Sequence, residues 1–227
     1  MKHELEVSFH SPPAFFYLSS VVSKSLLNEL IKDSSFLAVD SKRVDYEDHL
    51  VGNFESGEQL AIKPHDGPMI DGFSSFNQLT ETKLSLADAY VKNYYESIGK
   101  KWRKTGVTEL SDMWLNIQKE GDFNPVHNHN CKTLSGLSCF VWLTFPDQVI
   151  KSSRDPNESD HQGMTYLHWG LTPAHFSETF EQPKHIGLLP TPGVIVLFPC
   201  WLEHVVYPFK GPGKRISIAS NINVHLE

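Results

Sequence analysis

ELSDMWLNIQKEGDFNPVHNHNCKTLSGLSCFVWL, Glu109 to Leu143, is the stretch whose reading decides the fold. Its first part alternates. Met113, Leu115 and Ile117 fall on one face of an extended chain, and Trp114, Asn116 and Gln118 fall on the other. A polar connection follows, and then LSGLSCFVWLTF, which reads as a second strand. GMTYLHW, HIGLLP, GVIVLFP and RISIASNINV continue the series, separated by Pro and Gly turns. Strands at this density, with no helices between them, predict an antiparallel sandwich or barrel.

Upstream the texture is different. SSVVSKSLLNELIKD, Ser19 to Asp33, carries Val22, Leu26, Leu27, Leu30 and Ile31 at helical spacing behind serines able to cap it. A second helix is expected from about Leu86 to Arg103, with Ser85 and Asp88 spaced as a capping box. The Gly-rich stretch between them, GNFESGEQLAIKPHDGPMIDGFSSF, reads as loop. One domain over 1–227 is expected: a mainly helical and loop part over 1–108 and a β core over 109–227. Pro146 to Gln162 reads as a polar loop at the rim of that core.

Composition narrows the function. The 227 residues are 40% hydrophobic and 21% charged, ordinary for a globular chain, and the net charge of -7 makes nucleic acid an improbable partner. The opening MKHELEVSFHSPPAFF has charges and prolines where a secretory signal needs an apolar run. The longest apolar run, Gly193 to Leu202, contains Pro199 and is too short to span a bilayer. Cys131, Cys139 and Cys200 form no metal-knuckle spacing, and a cytoplasmic, reducing setting is expected.

Chemistry concentrates at His127 and His129. On extended backbone, residues i and i+2 point to the same side, so both imidazoles can face one metal ion. His204, after the strand and turn of GVIVLFPCWLEH, is the best third donor, and Arg215 opens the last strand. Three protein ligands on one face of Fe(II) leave three positions, enough for a bidentate 2-oxo acid and O2. The far carboxylate of such an acid calls for a planar, permanently charged fork, which arginine supplies better than lysine.

Read together, LVGNF (Leu50–Phe54), WLNIQKEGDFNPVHNHN, LSGLSCFVWL and GVIVLFPCWLEHVVYP…KRISIASN resemble the Fe(II)/2-oxoglutarate oxygenases, in a phage and bacterial branch related to the prolyl 4-hydroxylases. The resemblance runs from about Leu50 to Val224. It implies a double-stranded β-helix, the jelly-roll of the cupin-like folds, with flanking helices. It implies a dioxygenase, most often a hydroxylase, that uses Fe(II), 2-oxoglutarate and O2. Residue by residue, it makes His127 and His204 iron ligands and Arg215 the partner of the 2-oxoglutarate C5 carboxylate. Ser217 stands beside that group, Gln118 falls where a 2-oxoglutarate contact is common, and Trp142 sits on the next strand. His129 departs from the pattern, since most of the superfamily has Asp or Glu there. If His129 is not the ligand, Asp122 or Asp160 is the carboxylate to look for.

The insertion Pro146–Gln182 is expected to frame the substrate mouth, with Trp169, His175 and Phe176 lining it. The substrate itself, small molecule or peptide, stays open, as does the oligomeric state. His161, His168 and His185 are expected at the surface or in the substrate pocket and not on the metal. Two rivals remain open. One is a three-histidine cupin dioxygenase that needs no 2-oxo acid; the other is a non-catalytic jelly-roll that merely holds a metal.

Overall fold

Among the described residues of the computed structural model, which are 7–10, 17–102, 104, 106–131, 133, 135–155, 162–169 and 185–226, eleven strands form two facing sheets. The larger sheet runs β1 (Val7–His10), β2 (Tyr17–Val21), β9 (Val194–Pro199), β6 (Leu137–Thr144), β11 (Arg215–Val224), β4 (Thr108–Gln118) and β3 (Glu58–Lys63). The smaller runs β5 (Asn124–His127), β10 (Glu203–Val206), β7 (Thr165–His168) and β8 (His185–Leu188). Neighbours in both sheets are antiparallel. This is the mainly β, antiparallel core that the strand spacing called for, in the double-stranded β-helix form that the resemblance implied.

The period of two in β4 sorts its side chains as the sequence suggests. Met113, Leu115 and Ile117 enter a core between the larger sheet and two helices, α1 (Lys24–Leu37) and α2 (Ser74–Ser97), with Leu30, Leu79 and Leu86 opposite. Trp114 faces the other way, into an aromatic cluster between the sheets with Phe140, Trp142 and Phe198. Asn116 and Gln118 share that inner face and line a cavity there. One strand therefore serves both the structural core and the site.

The N-terminal part is less helical than its composition suggests. Helix α1 begins at Lys24, because Ser23 Oγ accepts the Leu26 N–H at 3.2 Å as the cap, and residues up to Val21 belong to β2. Residues Glu58–Lys63, inside the expected loop, form β3, paired with β4. Leu60 and Ile62 bury their side chains there, while Gly57 just before the strand passes so close to the Ile117 carbonyl that a Cβ would lie 2.2 Å from it. Helix α2 starts at Ser74, a full three turns before the expected point, its second residue being held by Asp33, which accepts from Ser75 Oγ at 2.6 Å. Asp88 is mid-helix and accepts instead from Thr108 Oγ1 at 2.8 Å. The helix stops where Gly99, at φ +76°, allows the Lys100 N–H to reach the Tyr95 carbonyl and the Gly99 N–H to reach Glu96. Pro146–Gln162 likewise holds a short helix, α3 (Asp147–Ser152). No helix among the described residues is long and apolar enough to cross a membrane.

Candidate active site

The register of the small sheet brings distant histidines together. His204 on β10 is the direct partner of His127 on β5, and just beyond β5 the His129 N–H donates to the Cys200 carbonyl at 2.9 Å. Ring centroids of His127 and His204 stand 4.1 Å apart, those of His129 and His204 4.8 Å, and those of His127 and His129 5.1 Å. One ring nitrogen from each lies within 4.8 Å of the other two, the one such group of metal-binding side chains among the described residues.

Hydrogen bonds settle which nitrogen each ring offers. Nδ1 of His127 is 2.6 Å from the Pro125 carbonyl, and Nδ1 of His204 is 3.3 Å from the Leu202 carbonyl. Carbonyl oxygens only accept, so Nδ1 carries the proton and Nε2 keeps its lone pair. His129 reaches the same state by a longer route. Its Nδ1 is 2.7 Å from Asn221 Oδ1 and 2.9 Å from Ser138 Oγ. The Asn221 amide is oriented by Asp112, whose Oδ2 accepts from Asn221 Nδ2 at 3.2 Å. Burial pushes all three imidazoles toward the neutral form: His127 is lowered, His129 goes down to about 4 with the help of neighbouring His127, and His204 falls well below its ordinary value. Three neutral nitrogens with their backs tied is a donor set suited to Fe(II).

A cavity of about 50 Å³ runs from the triad to Arg215, past Gln118, Thr165 and Ser217. Arg215 is 3% exposed. It donates from one terminal nitrogen to Gln118 Oε1 at 2.7 Å and from the other to Thr165 Oγ1 at 2.8 Å, and its guanidinium carbon lies 5.6 Å from the centre of the Phe145 ring. Its Nε has no hydrogen-bond partner, and among the described residues no carboxylate pairs with it. Burial brings its pKa down to about 9. A buried guanidinium that no carboxylate pairs with among the described residues is a candidate anion site.

The structure thus brings His127, His129, His204, Arg215, Ser217 and Gln118 to one cavity. Trp142 is not in that lining; its ring packs 5.0 Å from Phe140 and 5.6 Å from Phe145. Trp169 packs against the same aromatic cluster and lines neither cavity beside the triad. His175, Phe176, His161 and Asp160 lie outside the described residues. Asp122 is committed elsewhere, accepting backbone N–H groups of Lys119 at 2.7 Å and Glu55 at 2.9 Å. His168 and His185 pair across β7 and β8, in ring contact with Tyr166 and apart from the triad. Asn221, Asp112, Ser138, Thr165 and Asn124 were missed by sequence reading, because no motif marks them. A second cavity, about 330 Å³, opens beside His127 and His129 and takes its other walls largely from Tyr46, His49, Leu50, Val51, Gln59, His65 and Asp112.

A jelly-roll that gathers three neutral imidazoles and a buried arginine around one cavity defines a non-haem iron oxygenase of the 2-oxoglutarate type. The chain matches, over residues 112–221, the family model described as "Putative 2OG-Fe(II) oxygenase". It is an Fe(II)- and 2-oxoglutarate-dependent oxygenase, using O2 as its second co-substrate. Among solved structures it is similar to a viral collagen prolyl hydroxylase from Paramecium bursaria Chlorella virus-1 in its 2-oxoglutarate complex, at TM-score 0.53 and 14% identity over 91% of this chain and 94% of that one. A Pseudomonas putida prolyl-4-hydroxylase superposes at TM-score 0.52 and 11% identity, over 94% and 95% of the two chains. A Trichoplax adhaerens prolyl hydroxylase in complex with a hypoxia inducible factor peptide fragment gives TM-score 0.57 and 12% identity, over 91% and 82%. These identities speak for the fold alone. No curated protein sequence matches the chain.

Proposed function

We propose that His127, His129 and His204 hold Fe(II) through Nε2, and that Arg215, with Ser217 and Gln118 beside it, holds the far carboxylate of 2-oxoglutarate. The reaction is a hydroxylation of a small-molecule or peptide substrate admitted through the larger cavity. When bound, iron with 2-oxoglutarate and O2 supplies the oxidising power, and 2-oxoglutarate leaves as succinate and CO2. The chain's own residues do the positioning. Pro125, Leu202 and Asn221 fix the three imidazole tautomers. Gln118 and Thr165 fix the Arg215 fork. The aromatic cluster around Trp114 and Phe140 keeps the inner side dry. Trp142, one strand from Ser217, acts in this reading as packing behind the carboxylate site.

The observation that carries the proposal is the buried, uncompensated Arg215 in the same cavity as three Nδ1-tied histidines. A three-histidine cupin without a 2-oxo acid, or a bare metal-holding jelly-roll, has no use for that cation. Anaerobic metal titration tests the assignment. One Fe(II) per chain is expected, His127→Ala and His204→Ala should abolish binding, and His129→Asp should retain it. Full iron binding by either alanine variant would overturn the ligand set. The whole of 1–227 serves as one catalytic domain, since β3 and the Tyr46–Val51 segment complete the site. Three free thiols, Cys131, Cys139 and Cys200, support a cytoplasmic setting.

A further inference from the structure

The cavity of about 330 Å³ beside the triad has a charge pattern unlike that of the 2-oxoglutarate pocket. Among its described lining residues Asp112 is the one carboxylate, and no lysine or arginine joins it. Asp112 is 6% exposed and only half satisfied. Its Oδ2 accepts from Asn221, but its Oδ1 has no hydrogen-bond partner. Lys63, whose charge reaches Asp112, directs Nζ to the Ser111 carbonyl instead. The surrounding walls are aromatic. Tyr46 lies 4.9 Å from His49 and 6.3 Å from Trp114, ring centre to ring centre, and its hydroxyl accepts the His65 N–H at 3.2 Å.

Each substrate class meets these walls differently. An anion would face the Asp112 carboxylate with no lysine or arginine in the described lining to offset it. A purely apolar group would desolvate Asp112 further and leave Oδ1 without a donor, which costs more than the added contact returns. A cationic nitrogen supplies the missing donor, neutralises the buried charge, and sits against aromatic faces that attract it.

We propose that this cavity binds the substrate through a protonated amine or guanidinium, with Asp112 as the anchor and Tyr46, His49 and Trp114 as its aromatic wall. The assignment rests on the oxygenase reading and adds the substrate class to it. Asp112 stands two hydrogen bonds from His129, by way of Asn221. The carbon to be oxidised therefore lies only a few bonds from the cationic nitrogen. The same chemistry is found in a lysyl or arginyl side chain of a peptide and in a free amine.

The test uses wild-type protein loaded anaerobically with Fe(II) and 2-oxoglutarate. Calorimetric titrations compare 1,5-diaminopentane and Nα-acetyl-lysine methylamide with their side-chain N-acetylated, neutral counterparts. Succinate release is then read on the same samples in air. The charged member of each pair should bind at least about tenfold more tightly, and the preference should shrink as salt is added. Tighter binding of the diamine assigns a free amine, and tighter binding of the lysine amide assigns a peptide side chain. Asp112→Asn, measured at saturating Fe(II) because Asp112 also holds Asn221, should lose the discrimination. Equal or tighter binding of the neutral members overturns the proposal. So does failure of every amine to bind while the 2-oxoglutarate titration is normal. Failure of wild type to bind 2-oxoglutarate at all strikes the oxygenase reading itself and is recognised by that separate titration.

Discussion

Removing the Arg215 side chain should separate co-substrate binding from folding. In the native state its guanidinium pKa drops to about 9 through burial alone, so the charged form is disfavoured by about 5 kcal/mol relative to water. Its two hydrogen bonds, to Gln118 and Thr165, return roughly 1.5–3 kcal/mol each. These terms nearly cancel. Arg215→Met, which fills much of the volume without charge, should therefore change unfolding free energy by no more than about 2 kcal/mol in either direction. The loss in 2-oxoglutarate binding has no such offset, because a charge-assisted contact of about 1.5–3 kcal/mol disappears, which is roughly ten- to a hundredfold in Kd. Arg215→Lys keeps the charge, loses the fork and should fall between. The assay is an anaerobic titration following the absorption of the Fe(II)–2-oxo acid chelate, beside urea denaturation with and without 2-oxoglutarate. Wild type should gain about 2.7 kcal/mol at a hundredfold excess of ligand over Kd, and Arg215→Met should gain far less. Undiminished 2-oxoglutarate binding in Arg215→Met and Arg215→Ala, with iron bound normally, would falsify the role given to this residue.

Asn221→Ala removes the acceptor from His129 Nδ1 and leaves Ser138 alone to orient the ring. Iron affinity should fall about ten- to a hundredfold, with Asn221→Asp recovering part of it; unchanged affinity in the alanine variant would show that Ser138 suffices. His129→Asp should hold iron at least as tightly as wild type while His129→Ala loses most of it, as read by metal titration, and equal losses in both would remove His129 from the ligand set. Lys83 is fully buried on α2, with Nζ donating to Ser220 Oγ at 3.0 Å and its pKa lowered to about 8 by desolvation. The unfolded chain binds a proton there up to about pH 10.5 and the native state only to about 8, so this group makes stability rise with pH between those values. Lys83→Met should thus stabilise by about 2 kcal/mol at pH 7, a desolvation gain of about 3 less one hydrogen bond. Its advantage over wild type should shrink toward pH 10 in parallel urea titrations, and a constant advantage would show that the amine is already neutral at pH 7.

Alternation made β4 legible, and β6, β9 and β11 were legible as strand-length runs bounded by turn residues, all four being buried on both faces. The histidine pair, His204 and Arg215 were legible for a different reason: few side chains can hold a metal or pair with a dicarboxylate, and these stand at strand ends. β3 was hidden because six residues between glycines and prolines carry too little pattern to outweigh their flanks. The early start of α2 was hidden because its first turns are polar and docked by Asp33, which lies far back in the chain. Trp169 and the insertion were expected to frame the substrate, yet among the described residues the open cavity is walled from Tyr46 to Val51 and by β3. That wall depends on how the N-terminal part folds back on the sheet, and no local pattern records it.

The supporting layer of the metal site is the clearest case of information held only in register. Asp112 and Asn221 are 109 residues apart and become partners because β11 pairs with β4 Asn221 to Asp112, next to a register shift between Asn221 and Ile222. One residue of slip would turn both side chains to the helical face and leave His129 without its acceptor. The inner face of these two strands also holds Gln118 opposite Arg215 and Asn116 opposite Ser217. A single pairing thus sets both ends of the active site, the imidazole tautomer at one end and the guanidinium fork at the other. The helical face of the same pair carries Met113, Leu115, Ile117, Ile218 and their apolar neighbours, with Ser220 as its polar exception, bonded to Lys83 of α2. Polar groups that would destabilise a core are therefore concentrated where ligands can satisfy them. The unpartnered Nε of Arg215 and the unpartnered Oδ1 of Asp112 both belong to that inner face, so the binding roles proposed for the two residues depend on the same strand pairing.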